Sequence, residues 1–538
     1  MKRFIERLNR VMPAITMLLV VLLIVRMCDK EPRKVDVSDH KWDKLLVILD
    51  QIEQHYVDSI DYKDIVEKTL PHVMQNLDPH SVYLPPKELE VADESLTGNF
   101  SGIGIQFNVP NDTVVVINVV PGGPSERAGL LSGDRIITVD GENIAGVKMD
   151  QDSIVKRLKG PRGTTVKIGI KRDDLEELVP FTIKRDNIPV KSVDVSYMID
   201  DSLGYIKLSK FARTSYTEVH EALEKLRGKG VRSLILDLRD NTGGYLDQAL
   251  LMSNEFLAKG QLIVYMDGLH RQRRDFHADG KGSMQDVKLY VLINENSASS
   301  SEIFAGAIQD NDRGTIVGRR SFGKGLVQEP IYFSDKSGIR LTVARFYTPT
   351  GRCIQKPYSK DYQYDIIERY QHGEMTVADS IKRNDSLKFV TPAGKVVYGG
   401  GGIIPDIFVP IDTAGVTRFL VAVNRKSLQV KYSIKLADTY RAQLRQVKSF
   451  EDLEQLTRSI DIESGFLAFA KENGIVPKGD EWQKSKEFIV TQMKGLFGRY
   501  TSLDDEAFYP YINRLDNVIE RVIEEEKGET EKTETTTK

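Results

Sequence analysis

Residues 294–328 read NENSASSSEIFAGAIQDNDRGTIVGRRSFGKGLVQ, and the organisation of the surrounding chain can be worked out from this stretch. Residues 287–293 (VKLYVLI) form a short apolar run that predicts a buried strand. After Ser301, apolar side chains recur at helical spacing, which predicts a helix. The serines from Ser297 to Ser301 therefore lie on a strand-to-helix turn, where N–H groups are unpaired and the helix dipole is positive.

The serine turn allows two interpretations. A hydroxyl at this place can attack a carbonyl beside ready-made donors for the oxyanion that forms. Alternatively, Ser297 or Ser299 caps the helix, with Glu302 as the capping-box partner. The turn alone leaves both interpretations open.

A lysine between two glycines closes the stretch. Lys324 lies in Ser-Phe-Gly-Lys-Gly beside apolar Phe322 and Leu326. Burial in such a site disfavours the ammonium form and lowers the pKa, so the lysine can serve as the base that a serine nucleophile needs. The plainer alternative is a surface lysine in a glycine turn. The sequence of residues 318–325 is also close to the Walker A pattern of nucleotide-binding loops. Gly325, however, replaces the hydroxyl residue that would ligate magnesium, which argues against nucleotide binding.

Composition excludes several classes of protein. The chain has 538 residues, which suggests three or four domains, and its 40% apolar and 28% charged content is ordinary for folded protein. The net charge of −3 does not suggest nucleic acid as a partner. The two cysteines, Cys28 and Cys353, argue against a disulfide framework, and no His or Cys cluster has the spacing of metal ligands. We expect no metal and no cofactor.

The N-terminus has the pattern of a targeting segment. Basic residues within 1–10 precede the uncharged run 11–25, which predicts a signal anchor over residues 1–30. The expected location is the inner membrane, with the catalytic part on the periplasmic side. A cleaved signal peptide is the alternative.

Residues 31–95 have helical periodicity and close on Leu-Asp-Pro-His-Ser at 77–81. Asp78-Pro79 initiates a turn. We interpret His80 as a residue that holds this turn and leave it out of the predicted site.

Residues 96–186 combine a glycine-rich loop, alternating β runs and a Gly-Gly-Pro turn before a short helix. Together these motifs resemble a bacterial PDZ domain. The resemblance implies that an apolar free carboxy terminus binds by β-augmentation, with its carboxylate on the loop of Ser101, Gly102, Ile103 and Gly104. The alternative is a PDZ fold that serves only as a spacer.

Residues 187–410 alternate strands and helices and include Arg-Asp-Asn-Thr-Gly-Gly at 239–244. The SAS-x-SE pattern followed by FGKG-x-x-Q resembles the carboxy-terminal processing proteases. The resemblance implies that Ser299 is the nucleophile, Lys324 the general base and Gln328 the residue that orients the lysine. It also implies an oxyanion hole.

In that oxyanion hole, the resemblance assigns one donor to the N–H of Gly243, with Gly244 as the neighbouring alternative, and the other to the N–H of Ser300. The family usually has alanine where this chain has Ser300, which leaves three consecutive serines and makes Ser301 the second candidate nucleophile.

The expected fold class is a multidomain α/β protein with an N-terminal helical segment, a PDZ domain, a mixed α/β Ser-Lys protease core and a C-terminal helical domain. Residues 411–523 have helical patterns and carry no recognisable chemistry, so we expect a docking or oligomerisation role for an adaptor or a second copy. From residue 524 the chain is Glu, Lys and Thr with little apolar content, which predicts disorder.

The predicted function is that of a membrane-anchored serine endopeptidase that binds protein tails and cleaves envelope proteins. A catalytically inactive PDZ scaffold in the cell envelope is the alternative.

Overall fold

The computed structural model of the protein describes Met17 and residues 43–172, 175–358 and 362–536. Apart from Met17, the predicted signal anchor lies outside these residues. None of the helices described is both long and apolar enough to span a lipid bilayer. The chain divides into two compact units, 1–70 and 71–538. The first unit contains α1 (Asp43–His55), and α2 (Tyr62–Gln75) runs across the boundary.

Three short elements follow in the second unit. They are β1 (Val82–Leu84), α3 (Pro86–Thr97) and β2 (Asn99–Gly102). Strand β2 pairs antiparallel with β9 (Asp186–Pro189), so the predicted PDZ region starts and ends on one two-stranded ribbon.

The residues between β2 and β9 form an antiparallel sheet with two helices. The elements are β3 (Ile105–Asn108), β4 (Val114–Val119), α4 (Pro124–Ala128), β5 (Arg135–Val139), β6 (Glu142–Asn143), α5 (Gln151–Leu158), β7 (Thr165–Lys171) and β8 (Val179–Lys184). The sheet order is β3-β4-β5-β7-β8, with β6 paired to β5. Alternate residues of β7, Val166, Ile168 and Ile170, are buried in its core, as the period of two requires.

A six-stranded mixed sheet forms the centre of the second unit. Its elements and flanking helices are β10 (Val193–Met198), β11 (Leu203–Leu208), α6 (Ser215–Arg227), β12 (Ser233–Asp237), α7 (Leu246–Asn254), β15 (Lys288–Ile293), α8 (Ser300–Asp310), β16 (Thr315–Gly318) and β21 (Ile407–Phe408). The order is β10-β11-β12-β15-β16-β21, and every pair except β10-β11 is parallel. The carboxyl ends of β12, β15 and β16 therefore meet at one edge, which is where open α/β sheets place their ligands.

A second, antiparallel sheet lies beside this edge. It contains β13 (Leu262–Gly268), β14 (Arg271–His277), β17 (Leu326–Tyr332) and β18 (Gly338–Tyr347), and β1 is added to β18. Smaller elements are α9 (Asp365–Gln371), β19 (Lys388–Val390) and β20 (Val396–Tyr398). Because β18 pairs with β17 on one side and with β1 on the other, the segment before the predicted PDZ region becomes part of the core.

The remaining chain is helical, as predicted. The helices are α10 (Arg418–Arg425), α11 (Leu428–Thr439), α12 (Arg441–Leu444), α13 (Phe450–Arg458), α14 (Ile462–Glu472), α15 (Glu481–Gly498), α16 (Asp505–Ile512) and α17 (Asn517–Thr536). Helices α10 to α16 share a hydrophobic core of their own. They also contact the predicted PDZ region, where Asn118 Nδ2 donates to Asp504 Oδ2 at 2.6 Å and Arg135 pairs with Asp438.

The tail corrects one expectation. Residues from 524 onward were expected to be disordered, but α17 continues to Thr536. Its first turns bury Val518, Ile519 and Val522 against the outer face of the six-stranded sheet. A helix nucleated by such packing propagates at little further cost into a charged sequence.

Candidate active site

The predicted site lies on three turns that follow β12, β15 and β16, with Gln328 supplied by β17. Strand β15 is buried over almost its whole length, and α8 is buried throughout. The serine turn between them is therefore held rigidly at the carboxyl edge of the sheet.

The serine turn has a strained backbone. Ser299 is the N-cap of α8 and has φ 56° and ψ −114°, a conformation that non-glycine residues rarely adopt. Such strain persists only where the surroundings enforce it, and it is concentrated at functional sites. Glu302 closes the capping box by accepting the Ser299 N–H at 2.9 Å. Glu302 is therefore the capping-box partner that the sequence predicted, and this role is compatible with a reactive Ser299.

The neighbouring serine hydroxyls are engaged in structural hydrogen bonds. Ser297 Oγ donates to Leu238 O at 2.8 Å, and Ser301 Oγ donates to Asn241 O at 2.8 Å; both serines are fully buried. Ser299 is half-buried, so its hydroxyl has access to a substrate. This geometry favours Ser299 over Ser301, the second candidate from the sequence.

One carboxylate joins the serine turn to the lysine loop. Glu302 is fully buried, and its Oε2 accepts the N–H groups of Ser299 and Lys324, each at 2.9 Å. Its Oε1 accepts from Ser321 Oγ at 2.5 Å and from the Gly323 N–H at 2.7 Å. Burial raises the pKa of the Glu302 carboxyl, while these donated hydrogen bonds oppose that rise. Because Glu302 accepts all four hydrogen bonds and donates none, it acts as a carboxylate, and it holds the serine turn and the lysine loop together.

The Lys324 side chain has the environment expected of a base. Burial lowers the pKa of the ammonium group, and the nearby Arg340 guanidinium lowers it further, whereas Glu302 and Asp78 act in the opposite direction. Lys324 Nζ donates to Gln328 Oε1 at 2.8 Å. Among the described residues, no direct hydrogen bond joins this nitrogen to the Ser299 hydroxyl; Glu302 links the two residues through their main chains.

The glycine turn after β12 approaches the nucleophile closely. Gly243 has φ 97°, and a Cβ there would lie 2.8 Å from both Ala298 O and Ser299 Cβ. Only glycine fits this contact. The Gly243 N–H, however, donates to Asn241 Oδ1 at 2.9 Å. Within the described part of the chain, no hydrogen bond uses the N–H of Gly244, the alternative donor left open by the sequence.

The four predicted peptide-binding residues of the PDZ region lie together on β2 and the bend that follows it. Ser101 and Gly102 belong to β2, and Ile103 and Gly104 lead into β3. Gly104 has φ 76°, and the side chain of Ile103 is buried in the core of this region. Ser101 and Gly102 pair with β9, and the bend leads into β3, the edge strand to which β-augmentation would add a peptide.

Sequence reasoning underestimated two residues. Glu302 was considered only as a capping partner, although its position between SAS and FGKG makes it able to serve both turns. His80 was set aside, yet its carbonyl oxygen accepts from Gln328 Nε2 at 2.6 Å. No sequence signal identifies a main-chain acceptor 248 positions away.

The described residues contain no group of three or more His, Cys, Asp or Glu side chains arranged to hold a metal ion.

Comparison with known proteins assigns three segments to families. Residues 202–366 match peptidase family S41, residues 101–184 match the PDZ domain, and residues 419–501 match a family of unknown function, DUF8443.

Two relatives are similar over most of their own length. A carboxy-terminal-processing protease of Bartonella bacilliformis is 35% identical over 342 residues, which cover 62% of this chain and 77% of the relative. The carboxy-terminal processing protease CtpA of Bacillus subtilis is 33% identical over 320 residues, which cover 59% and 68%, respectively. Among solved structures, a photosystem II D1 C-terminal processing protease aligns with 73% of this chain and 92% of its own, at 24% identity and a TM-score of 0.37.

Proposed function

The chain belongs to the carboxy-terminal processing proteases, which are PDZ-containing serine peptidases of family S41, and from this premise we propose that Ser299 and Lys324 form its catalytic dyad. The observation that carries the proposal is the shared carboxylate. Glu302 Oε2 binds the main-chain N–H of both residues, and the Lys324 ammonium has a lowered pKa.

In the proposed reaction, neutral Lys324 takes the proton of the Ser299 hydroxyl while Oγ attacks the peptide carbonyl carbon. The tetrahedral intermediate collapses to an acyl-enzyme as the C–N bond breaks, and Lys324 returns the proton to the leaving amine. Water then hydrolyses the acyl-enzyme by the same route. Gln328 Oε1, 2.8 Å from Lys324 Nζ, restrains the lysine during both steps.

The proposed oxyanion hole consists of the Ser300 N–H at the start of α8 and the N–H of Gly244. We choose Gly244 rather than Gly243 because Asn241 already occupies the Gly243 N–H. Gly243 remains necessary because of its close approach to Ser299. The loss of one such donor lowers the rate ~10²–10³-fold.

The proposed substrates are envelope proteins with apolar free carboxy termini, which bind the PDZ domain at Ser101–Gly104. Residues 1–30 act as a signal anchor in the inner membrane, and the catalytic part lies on the periplasmic side. The C-terminal helices serve as a docking surface for an adaptor or a second copy. The basic flank and uncharged run of the N-terminal sequence support the anchoring proposal.

The test is cleavage of an unstructured protein with an apolar free carboxy terminus by the full-length chain in detergent. We expect cleavage by the wild type and loss of cleavage in Ser299→Ala and Lys324→Ala. Lys259→Ala changes an exposed lysine outside the site and should cleave normally. Unchanged cleavage by Lys324→Ala would refute the dyad, and no cleavage by any form would favour the inactive scaffold.

A further inference from the structure

The amide of Gln328 has two chemically different ends, and each has one partner. Oε1 accepts from Lys324 Nζ at 2.8 Å, and Nε2 donates to the main-chain oxygen of His80 at 2.6 Å. A carbonyl oxygen can only accept, so it can bind only the NH2 end of the amide. A flipped amide would place oxygen against oxygen at His80 and N–H against N–H at Lys324.

We infer that His80 is a positioning residue, whose main-chain carbonyl sets the orientation of the Gln328 amide and thereby the acceptor that restrains Lys324. The inference rests on the proposed Ser-Lys dyad and adds a residue from the segment before the PDZ domain to it.

The sheet brings Gln328 to this carbonyl. Strand β17 is irregular between Val327 and Gln328, and Gln328 lies opposite Thr342 of β18. A bulge of this kind redirects a side chain beside an active site. On the other side of β18, the Thr342 N–H donates to Ser81 Oγ at 3.1 Å. Gln328 and the turn that contains His80 therefore flank the same residue.

The turn itself is held firmly. The buried Asp78 carboxylate accepts the N–H groups of His80 and Ser81 at 2.8 and 2.7 Å, and Ser81 Oγ at 2.6 Å. Immediately afterwards, Val82 pairs with Arg340 of β18. The Asx turn and the sheet thus hold the chain on either side of the His80 carbonyl, and the direction of the carbonyl between them depends on how the His80 ring is attached.

The His80 ring provides a third attachment. Its Nε2 lies 2.6 Å from the Tyr362 hydroxyl oxygen, which also accepts from Gln355 Nε2 at 3.2 Å. The tautomer of the neutral ring decides which of the two groups donates, and in either tautomer Nε2 is engaged by the tyrosine. The ring therefore anchors the turn to the Tyr362 side chain.

The charges around the site make a clean test feasible. Burial lowers the pKa of His80 to about 4, and the nearby Lys324 and Lys356 also lower it, against the opposing effect of Asp78. The ring is therefore neutral at assay pH, and replacing it changes no charge. Lys324 itself faces Arg340, Glu302 and Asp78, and these groups remain in every variant used below.

The experiment is a double-mutant cycle with full-length His80→Phe, Gln328→Ala and the double variant, measured as kcat/KM against pH. Each single variant should lose about 10- to 100-fold, because the lysine is no longer aligned. Loss of the acceptor destabilises the ammonium form, so the pKa of Lys324 falls and the acid limb of the profile moves to lower pH. The double variant should match Gln328→Ala within about twofold, because His80 acts through Gln328.

Additive losses in the double variant, or an acid limb that does not move in His80→Phe, would overturn the inference. If a thermal melt shows that His80→Phe is unfolded, Tyr362→Phe, which removes only the hydroxyl, replaces it in the same double-mutant cycle. His220→Phe is the matched control, since that ring also lies beside a tyrosine, Tyr216, but outside the site; it should leave kcat/KM unchanged. If Lys324→Ala remains active, the proposed dyad fails. If Lys324→Ala is inactive and the cycle is additive, only the His80 inference fails.

Discussion

Replacing Glu302 with glutamine should reduce both stability and activity. The carboxylate receives hydrogen bonds from Ser299, Lys324, Gly323 and Ser321 in a fully buried position. An amide can accept at one end only. The Ser321 hydroxyl can rotate to accept, so we expect the NH2 group at the Oε1 position, where it leaves the Gly323 N–H without an acceptor. One orphaned buried donor costs ~1–3 kcal/mol of unfolding free energy.

The same change should lower kcat/KM by about 10- to 100-fold. Gly323 precedes Lys324, so the lost hydrogen bond lets the lysine move, and a displacement of a catalytic group by about 1 Å has an effect of that size. The assay combines urea unfolding with tail cleavage. Glu255→Gln is the matched control, because Glu255 is also buried and binds two donors at each oxygen, from Tyr216, His220 and Ser283. Glu255→Gln should lose unfolding free energy and keep its kcat/KM. If Glu302→Gln lost only as much unfolding free energy as this control and kept full activity, the shared-carboxylate argument would be wrong.

Three further predictions test the site and its surroundings. Gln328→Glu places a carboxylate beside Lys324 and raises the pKa of the lysine, so the acid limb of kcat/KM should move to higher pH by about 1–3 units, and an unmoved limb would contradict the contact. Gly243→Ala should abolish cleavage because its Cβ meets the serine turn at 2.8 Å, whereas Gly260→Ala, also at positive φ but in open space, should remain active. Burial raises the pKa of Asp504 to about 6, so the contribution of this carboxyl to stability is present below the unfolded pKa of ~3.9 and is lost as pH rises through about 6. In Asp504→Asn the urea midpoint should therefore depend less on pH between these two values, and an unchanged dependence would refute the assignment.

Local patterns were sufficient for much of the fold. The apolar run before the serine turn and the helical spacing after it predicted β15 and α8, because both elements bury most of their side chains. The glycines around Lys324 predicted a close-packed loop, and Gly323 does adopt a φ of 90°.

The finer contacts of the site could not be predicted because they join distant segments. Glu302 binds two turns at once, Asn241 takes the Gly243 N–H, and the His80 carbonyl meets Gln328 across β18. Each depends on register and turn geometry rather than on residue type. The tail differed from the expected disorder for a related reason. The packing of Val518 and its neighbours starts a helix that continues into the charged sequence after it.

The β2–β9 ribbon has a consequence for how the protein can change over time. Gly102 lies opposite Asp186, so the chain leaves the catalytic core and returns to it across one pair of residues. Residues 103–185 are thus a cassette, and a short hairpin turn could close the ribbon in their place. Strand β1 and His80 lie before the cassette, and every residue proposed for hydrolysis lies after it. Recombination at this ribbon can therefore exchange the PDZ domain while His80 and every residue proposed for hydrolysis are inherited together.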